Sequence, residues 1–174
     1  MYRFLVASFG LVAAVGVVAA TAALAGDGSL PPELQEVRAA VARYHSFEQA
    51  GRAGYTLEQG EPCVAAPPGT MGIHVDNERL MADPRVDALE PEILLYVPKQ
   101  NGKLELVGVE YFRRAADQTP PIDASDRPSL FGVDFQGPMA EHAPGMGWHY
   151  DLHVWVAEAN PSGVFAMFNP AISC

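Results

Sequence analysis

The stretch ILLYVPKQNGKLELVGVEYF, residues 93–112, decides the fold of this chain. It contains two runs rich in Leu, Val, Ile, Tyr and Phe, which are Ile93–Val97 and Leu104–Phe112, and Gln-Asn-Gly-Lys lies between them at residues 100–103. Asn-Gly favours a two-residue hairpin turn, because both central residues of a type I′ turn need positive φ. The stretch therefore predicts an antiparallel β-hairpin in which Gln100 faces Lys103.

The turn also predicts which residues face each other across the hairpin. Counting back from it gives three pairs: Val97 with Leu106, Leu95 with Gly108, and Ile93 with Glu110. Because side chains alternate across a strand, Glu110 then lies on a face that is otherwise apolar. An unpaired buried carboxylate costs several kcal/mol, so we expect Glu110 to have a partner, unless the strand end frays and the carboxylate reaches water.

A second strand-like run, WHYDLH at residues 148–153, carries three polar side chains at every second position: His149, Asp151 and His153. On a strand these three share one face, while the opposite face is apolar from Tyr150 to Val156. We expect the apolar face to be the core face, which places the polar row on an outer surface, in a cleft or at a barrel mouth unless both faces are covered. Since His149 and His153 would lie about 13 Å apart on a flat strand, a metal site here needs ligands from other strands.

His74 is the candidate ligand from another strand. It ends the sequence M-G-x-H at residues 71–74, which recurs at residues 146–149 and predicts two similar turns that bring His74 and His149 to corresponding places. The candidate metal ligands are His74, Glu110, His149, Asp151 and His153. Asp151 has an alternative role, as the acceptor that fixes the tautomer of a ligating histidine. Imidazoles with a carboxylate suit zinc, copper or nickel, and export favours Zn or Cu as the cofactor.

Helix and loop signals complete the predicted fold. Apolar residues recur at intervals of three or four from Leu34 to Phe47, which predicts a long N-terminal helix over residues 31–51. Residues 117–147, with five prolines and four glycines, predict a long loop with one short strand near residues 130–135 and with His142 exposed. Residues 150–157 and 164–168 predict a closing pair of strands. The fold class is therefore α+β, a strongly curved antiparallel β-sheet with one long helix packed on it.

The first 25 residues are similar to a secretory signal peptide. Arg3 is their only charge, residues 4–24 are almost wholly apolar, and Ala-Leu-Ala at residues 23–25 fits a cleavage site. We expect cleavage after Ala25 and a single α+β domain over residues 26–174, secreted or located in the periplasm or cell envelope and without membrane contact. The alternative is an uncleaved anchor, since about 20 apolar residues also span a bilayer.

Export also bears on the two cysteines, Cys63 and Cys174. An oxidising compartment favours a disulfide between them. The chain-entropy model gives so large a loop about 4 to 5 kcal/mol of stabilisation. Two free thiols are the alternative.

The charge pattern argues against several classes of partner. The net charge of −10 becomes −11 when Arg3 is removed, and the remaining Lys and Arg residues are scattered. Nucleic acids and anionic membrane surfaces need clustered basic residues, so we expect neither as a partner. The chain lacks a phosphate-binding Gly motif and a C-x-x-C-H haem motif, and we expect no nucleotide, haem or flavin. The sequence does not indicate an oligomeric state.

Five motifs together resemble those of one protein family. They are M-G-x-H at residues 71–74, P-E-x-L-x-Y at 91–96, V-G-V-E-Y at 107–111, H-Y-D-L-H-V-W at 149–155 and N-P-A-x-x-C at 169–174. Over about Tyr44 to Cys174 the chain is similar to an uncharacterised family of secreted bacterial proteins. That family usually has an aromatic residue after the first histidine, where this chain has Val75. The resemblance implies a common fold and a common site, and it names no reaction.

Three functions are compatible with these features. The first is a cell-envelope protein that binds a transition metal through the His/carboxylate cluster. The second is a hydrolase or lyase that uses a His-Asp pair for proton transfer; the absence of G-x-S-x-G argues against a serine nucleophile. The third is a structural or ligand-binding module without metal, in which the polar row hydrogen-bonds the loop at residues 117–147.

Overall fold

A computed structural model describes residues 29–57 and 63–174 of the chain. It has an α+β fold, as predicted, with short helices and an antiparallel sheet. The predicted signal peptide and its cleavage after Ala25 lie outside the described residues. Within those residues, no helix has the length and apolar character needed to cross a membrane.

The N-terminal helix is shorter than its apolar spacing predicts. Helix α1 spans Pro32–Val41, a 3₁₀ turn spans Ala42–His45, and helix α2 spans Phe47–Arg52. The break lies at Ser46, whose backbone is extended with φ −88° and ψ 107°. The prediction of one long helix over residues 31–51 is therefore wrong.

Contacts with the sheet account for the break. The 3₁₀ turn buries Tyr44, whose carbonyl accepts a 2.6 Å hydrogen bond from the Tyr96 hydroxyl. Phe47, the first residue of α2, packs edge-to-face on the same Tyr96 ring with 5.4 Å between the ring centroids. Because tertiary contacts of this kind override intrinsic helix propensity, the apolar spacing is retained while the helix is interrupted.

The bounds of the strands are β1 Thr56–Leu57, β2 Val64–Ala66, β3 Gly69–Asp76, β4 Ile93–Pro98, β5 Leu104–Arg114, β6 Ser129–Leu130, β7 Val133–Asp134, β8 Gln136–Met139 and β9 His149–Val154. Four of the strands, β3, β4, β5 and β9, have six or more residues, and the others have two to four. Helix α3 (Glu78–Met81) follows β3, and a second 3₁₀ turn spans Ala124–Asp126.

Seven of these strands join in one antiparallel sheet within the described residues. The order is β1-β3-β4-β5-β9-β8, with β2 also paired to β3, and β6 and β7 form a separate hairpin. The sheet is not strongly curved, so the predicted strong curvature is wrong. The order matters for function because it places β4 and β5 in the centre, between β3 and β9.

Both faces of the sheet are covered. On one face, α1 and the first 3₁₀ turn pack against fully buried strand residues, among them Leu94, Val109 and Leu152. On the other face, sheet residues form a second apolar cluster with the loop before β9. The buried members of this second cluster are Ile93, Leu95, Val97, Val107, Phe112, Ala143, Met146 and Trp155.

The second cluster corrects the expectation that the polar row of β9 faces solvent. The row lies on the covered face, and the exposed fractions of His149, Asp151 and His153 are 1%, 2% and 0%. The C-terminal end contributes to the cover, since Ile172 packs against the cluster. Cys63 and Cys174 form the predicted disulfide, with 5.6 Å between their Cα atoms, which fixes that end of the chain.

The β4–β5 hairpin has the predicted register where Glu110 lies. Its cross-strand pairs are Ile93 with Glu110, Leu95 with Gly108, Tyr96 with Leu106, and Val97 with Glu105. The pairing predicted for Val97 is therefore wrong by one residue, whereas the pairing predicted for Glu110 is confirmed.

The turn of this hairpin explains the difference. A 2.8 Å bond joins the Lys99 amide to the Lys103 carbonyl, so the loop encloses three residues, not the predicted two, and Gln100 does not face Lys103. Gly102, the third of these residues, has a φ of 75°, which suits the left-handed position of a three-residue hairpin loop. A bulge between Leu95 and Tyr96 then restores the predicted register towards Glu110.

The segments around β9 also differ from the prediction. Where one strand was expected near residues 130–135, β6 and β7 form a small hairpin of two residue pairs. After it, β8 pairs with β9 at the sheet edge. The strand expected at residues 164–168 is not formed. This region is joined to the chain after β9 by a 3.0 Å bond from the Trp155 amide to the Val164 carbonyl and by side-chain bonds, among them a 2.6 Å bond from the Trp155 indole nitrogen to the Ala166 carbonyl.

Candidate metal centre

The sheet register brings polar residues of three strands to one face. Asp76 of β3 pairs with Ile93 of β4, Ile93 pairs with Glu110 of β5, and Glu110 pairs with His153 of β9. His74 lies two residues before Asp76, so its side chain is on the same face. His74 therefore approaches Glu110 from one side of the hairpin, and His153 approaches it from the other.

Three side chains converge on one point. The Oε2 atom of Glu110 is 3.0 Å from Nε2 of His74 and 3.3 Å from Nε2 of His153, and the ligand atoms of the three residues all lie within 4.8 Å of one another. A tetrahedral ion with bonds of 2.0–2.1 Å separates its ligand atoms by roughly 3.3 Å. The two distances from Glu110 Oε2 thus match the spacing of ligands around one ion, and the three residues form a group that could hold a metal.

Burial sets the protonation of these donors. The exposed fractions are 6% for His74, 3% for Glu110 and 0% for His153. Burial opposes the charge of Glu110, but the His153 and His74 imidazoles outweigh it and hold the pKa of this carboxyl below its usual range. Burial lowers the pKa of His153 to about 4. At neutral pH, an ionised Glu110 and a neutral His153 are the forms that bind metal.

The hydrogen bonding of His153 is incomplete. Among the described residues, neither ring nitrogen of His153 has a hydrogen-bond partner, and the nearest carboxylate oxygen, Glu110 Oε2, lies 3.3 Å from its Nε2. Leaving a buried polar atom unsatisfied costs about 1 to 3 kcal/mol. A cation between His153 Nε2 and Glu110 Oε2 satisfies both atoms, so this donor set fits a metal ion.

Asp151 lies behind the His153 ring. Its Oδ1 is 3.8 Å from Nδ1 of His153, which is longer than a hydrogen bond. Burial and the charge of Glu110 raise the pKa of Asp151 above its usual range. A carboxylate on the far side of a ligating imidazole fixes the tautomer and orientation of the ring, so the position of Asp151 suits the orienting role and not direct ligation.

His149 is not among the three converging side chains. Its ring stacks on Phe112 with 5.1 Å between centroids, its Nδ1 is 2.9 Å from the Gly147 carbonyl, and its Nε2 is 3.1 Å from Nε2 of His142. His142 is exposed, as predicted. Its contact with His149 had no signal in the sequence, since six residues separate the two.

The repeated M-G-x-H sequence has a shared backbone feature and different side-chain environments. Gly72 has a φ of 97° and Gly147 has a φ of 62°, both in the left-handed region. The His74 ring lies edge-to-face with His153 at a centroid distance of 5.9 Å, whereas the His149 ring contacts His142. The two histidines therefore do not meet at corresponding places.

A cleft of about 180 Å³ opens on the same face of the sheet. Its lining includes Asp76, Met81, Arg114 and Met146. Asp76 belongs to the same cross-strand row as Glu110, and Met146 is part of the apolar cluster that covers the row. The cleft thus reaches the edge of the layer that separates the converging side chains from solvent.

No protein-family model matches the sequence, and no match is found among curated proteins or among solved structures.

Proposed function

We propose that this protein binds a transition metal ion, Zn or Cu, through His74, Glu110 and His153. Asp151 orients His153 in this proposal. The observation that carries it is the fully buried His153, which has two ring nitrogens without hydrogen bonds and lies between the carboxyl groups of Glu110 and Asp151. A buried imidazole in this situation needs a partner, and a metal ion supplies it.

The donor set supports a borderline-soft divalent ion. Two imidazoles with one carboxylate form a common zinc ligand set that leaves a fourth position for water or a small ligand. Copper also binds imidazole tightly. Glu110 supplies one negative charge, and Asp151, whose pKa is raised by burial, supplies a second when metal binding releases its proton. The disulfide fits an oxidising compartment, and we place the protein outside the cytoplasm, in the family of secreted bacterial proteins that its motifs resemble.

The structural alternative explains less of the polar row. It assigns the row to hydrogen bonding of the loop at residues 117–147. Within the described residues, His149 has such contacts, with the Gly147 carbonyl and with His142, whereas the hydrogen-bonding atoms of His153 and the Oδ1 atom of Asp151 have none. Gln118 holds the loop instead, because its side chain bonds the backbone of Trp148 on both the amide and the carbonyl.

Metal titration tests the proposal directly. We expect tag-free protein to bind Zn(II) or Cu(II) at His74, Glu110 and His153 with micromolar affinity or better in calorimetry. Glu110→Gln removes the anionic ligand and weakens binding at least about tenfold. Glu105→Gln is the matched control, since Glu105 lies on the same strand but pairs with Lys99 near the surface. Calorimetric silence with both metals, or wild-type affinity in Glu110→Gln, overturns the proposal.

A further inference from the structure

A second pair of donors lies beside the three converging side chains. The Nε2 atoms of His142 and His149 are 3.1 Å apart, and the two rings meet at 67° with 4.9 Å between centroids. His149 is buried, with 1% of its surface exposed, whereas His142 is exposed. The pair therefore joins the covered face of the sheet to solvent.

The tautomer of His149 follows from its other nitrogen. Nδ1 is 2.9 Å from the Gly147 carbonyl, and because a carbonyl oxygen only accepts, Nδ1 carries the hydrogen. The neutral ring then has its lone pair on Nε2, which faces His142. A backbone carbonyl that fixes Nδ1–H in this way is the usual orienting contact of a metal-ligating histidine.

The distance between the two nitrogens suits a shared ion. Two ligands of one tetrahedral ion lie roughly 3.3 Å apart, close to the 3.1 Å separation here. In the metal-free protein the same distance is bridged by a hydrogen bond that His142 Nε2 donates to His149 Nε2, and an ion that binds here replaces that hydrogen.

The position of the pair indicates its role. His149, Asp151 and His153 alternate along β9 on one face, with about 7 Å between successive residues. Asp151 thus stands between the exposed pair and the buried His153. Because His74, Glu110 and His153 are themselves at most 6% exposed, an ion needs a route through the cover, and His149 is the member of the row that contacts an exposed side chain, that of His142.

We propose that His142 and His149 form a second transition-metal site, which takes up a divalent ion such as Zn(II) from solvent. Delivery of that ion along β9 to His74, Glu110 and His153 rests on the proposed function, whereas binding at the pair does not. The ion at this site has two protein nitrogens and completes its coordination with water.

The test compares the wild type with two variants of the whole protein, His142→Ala and His45→Ala, by zinc calorimetry and by stopped-flow competition with a chromophoric chelator. The wild type binds two ions, and His142→Ala binds one, with unchanged affinity at the buried site and severalfold slower uptake. His45→Ala is the matched control, because His45 is also exposed but lies in the 3₁₀ turn on the opposite face of the sheet. It behaves as wild type.

Glu110→Gln separates this inference from the proposed function. If Glu110→Gln retains one weaker ion that the further substitution His142→Ala removes, the second site is supported whether or not the buried residues bind. If His142→Ala matches wild type in both stoichiometry and uptake rate, the pair is a hydrogen bond and the inference is overturned.

Discussion

Glu110 Oε2 lies 3.3 Å from Nε2 of His153, the residue that faces it across the β5–β9 ladder. Both side chains are buried, and at neutral pH the ionised carboxylate of Glu110 depends on the neutral His153 imidazole for a polar neighbour in place of water. Replacing a buried side chain of this size with alanine typically costs about 2 to 5 kcal/mol through lost packing, and here the buried charge also loses that neighbour. The first prediction follows from this dependence.

His153→Ala is expected to lower the free energy of unfolding of the metal-free protein by about 2 to 5 kcal/mol. The double variant Glu110→Gln/His153→Ala is expected to lose less than the sum of the two single changes, because Glu110→Gln removes the buried charge that loses its polar neighbour in His153→Ala. Urea titration of the four proteins measures this coupling. Strict additivity contradicts an interaction between the two side chains.

Metal binding is expected to stabilise the fold. An ion at 100 times its dissociation constant adds about 2.7 kcal/mol to the free energy of unfolding, which raises the melting temperature by several degrees, and a chelator reverses the shift. Glu110→Gln is expected to abolish most of the increase, whereas Glu105→Gln retains it. Differential scanning calorimetry with and without Zn(II) measures the effect. An equal increase in both variants places the ion elsewhere.

Glu92 predicts a pH dependence of stability that is separate from the metal. Its side chain is 1% exposed and accepts a 3.1 Å hydrogen bond from the Phe112 amide. Burial raises the pKa of Glu92 from 4.5 to about 8. The folded state therefore holds a proton that the unfolded state releases above pH 4.5, and stability falls as the pH rises from about 4.5 towards 8.

Glu92→Gln isolates this contribution. Glutamine keeps an oxygen acceptor for the Phe112 amide and has no titratable proton. As the pH rises from about 4.5 towards 8, the variant therefore becomes more stable relative to the wild type. Urea titrations at pH 5, 6.5 and 8 measure this difference in the free energy of unfolding. Because variant and wild type share all other titratable groups, the contributions of those groups cancel when the two are compared. A difference that is constant with pH contradicts a raised pKa.

The disulfide is expected to stabilise both the fold and the cover of the polar row. Cys63 and Cys174 are 111 residues apart, and the chain-entropy model assigns a loop of this size about 4 to 5 kcal/mol. Cys63→Ser with Cys174→Ser is expected to lose up to that amount and to loosen Ile172, which packs on the second apolar cluster. Unfolding and hydrogen exchange measure the two effects. Unchanged stability in the double variant contradicts the prediction.

The sequence predicts the position of Glu110 better than it predicts the hairpin that carries it. The three-residue loop shifts the pairing by one residue, and the bulge at Leu95 and Tyr96 shifts it back. Alternation along the strand then places Glu110 on the otherwise apolar face, as predicted, and the β5–β9 pairing brings His153 to that face. The face itself is not open, because the loop before β9 and the C-terminal end cover it, and such coverage depends on tertiary packing that strand periodicity does not contain.

Local sequence patterns do not show which candidate ligands meet, because that depends on which strands pair. His74 meets Glu110 because β3 pairs with β4, which is a contact between distant parts of the chain. The motif M-G-x-H suggested that His74 matches His149, but the ladder from Glu110 leads to His153. Likewise, the apolar spacing of residues 31–51 could not reveal the break at Ser46, which depends on contacts with Tyr96.

Gly72 provides a test of how the backbone positions His74. It has a φ of 97°, and a Cβ atom at this position would lie 2.7 Å from the Tyr96 carbonyl oxygen. Gly72→Ala therefore combines a strained left-handed conformation with a backbone clash between β3 and β4. We expect this substitution to destabilise the protein by more than about 1 kcal/mol and to weaken metal binding, because His74 lies two residues further along β3.

Gly102→Ala is the matched control for this prediction. Gly102 also has a positive φ, of 75°, but a Cβ atom there meets nothing within 4 Å. We expect a loss of about 1 kcal/mol from the backbone conformation alone and unchanged metal affinity, since the hairpin loop is remote from His74. Chemical denaturation and metal titration of both variants separate conformational strain from the clash. Equal metal affinity in the two variants would show that the approach of β3 to β4 at Gly72 does not position His74.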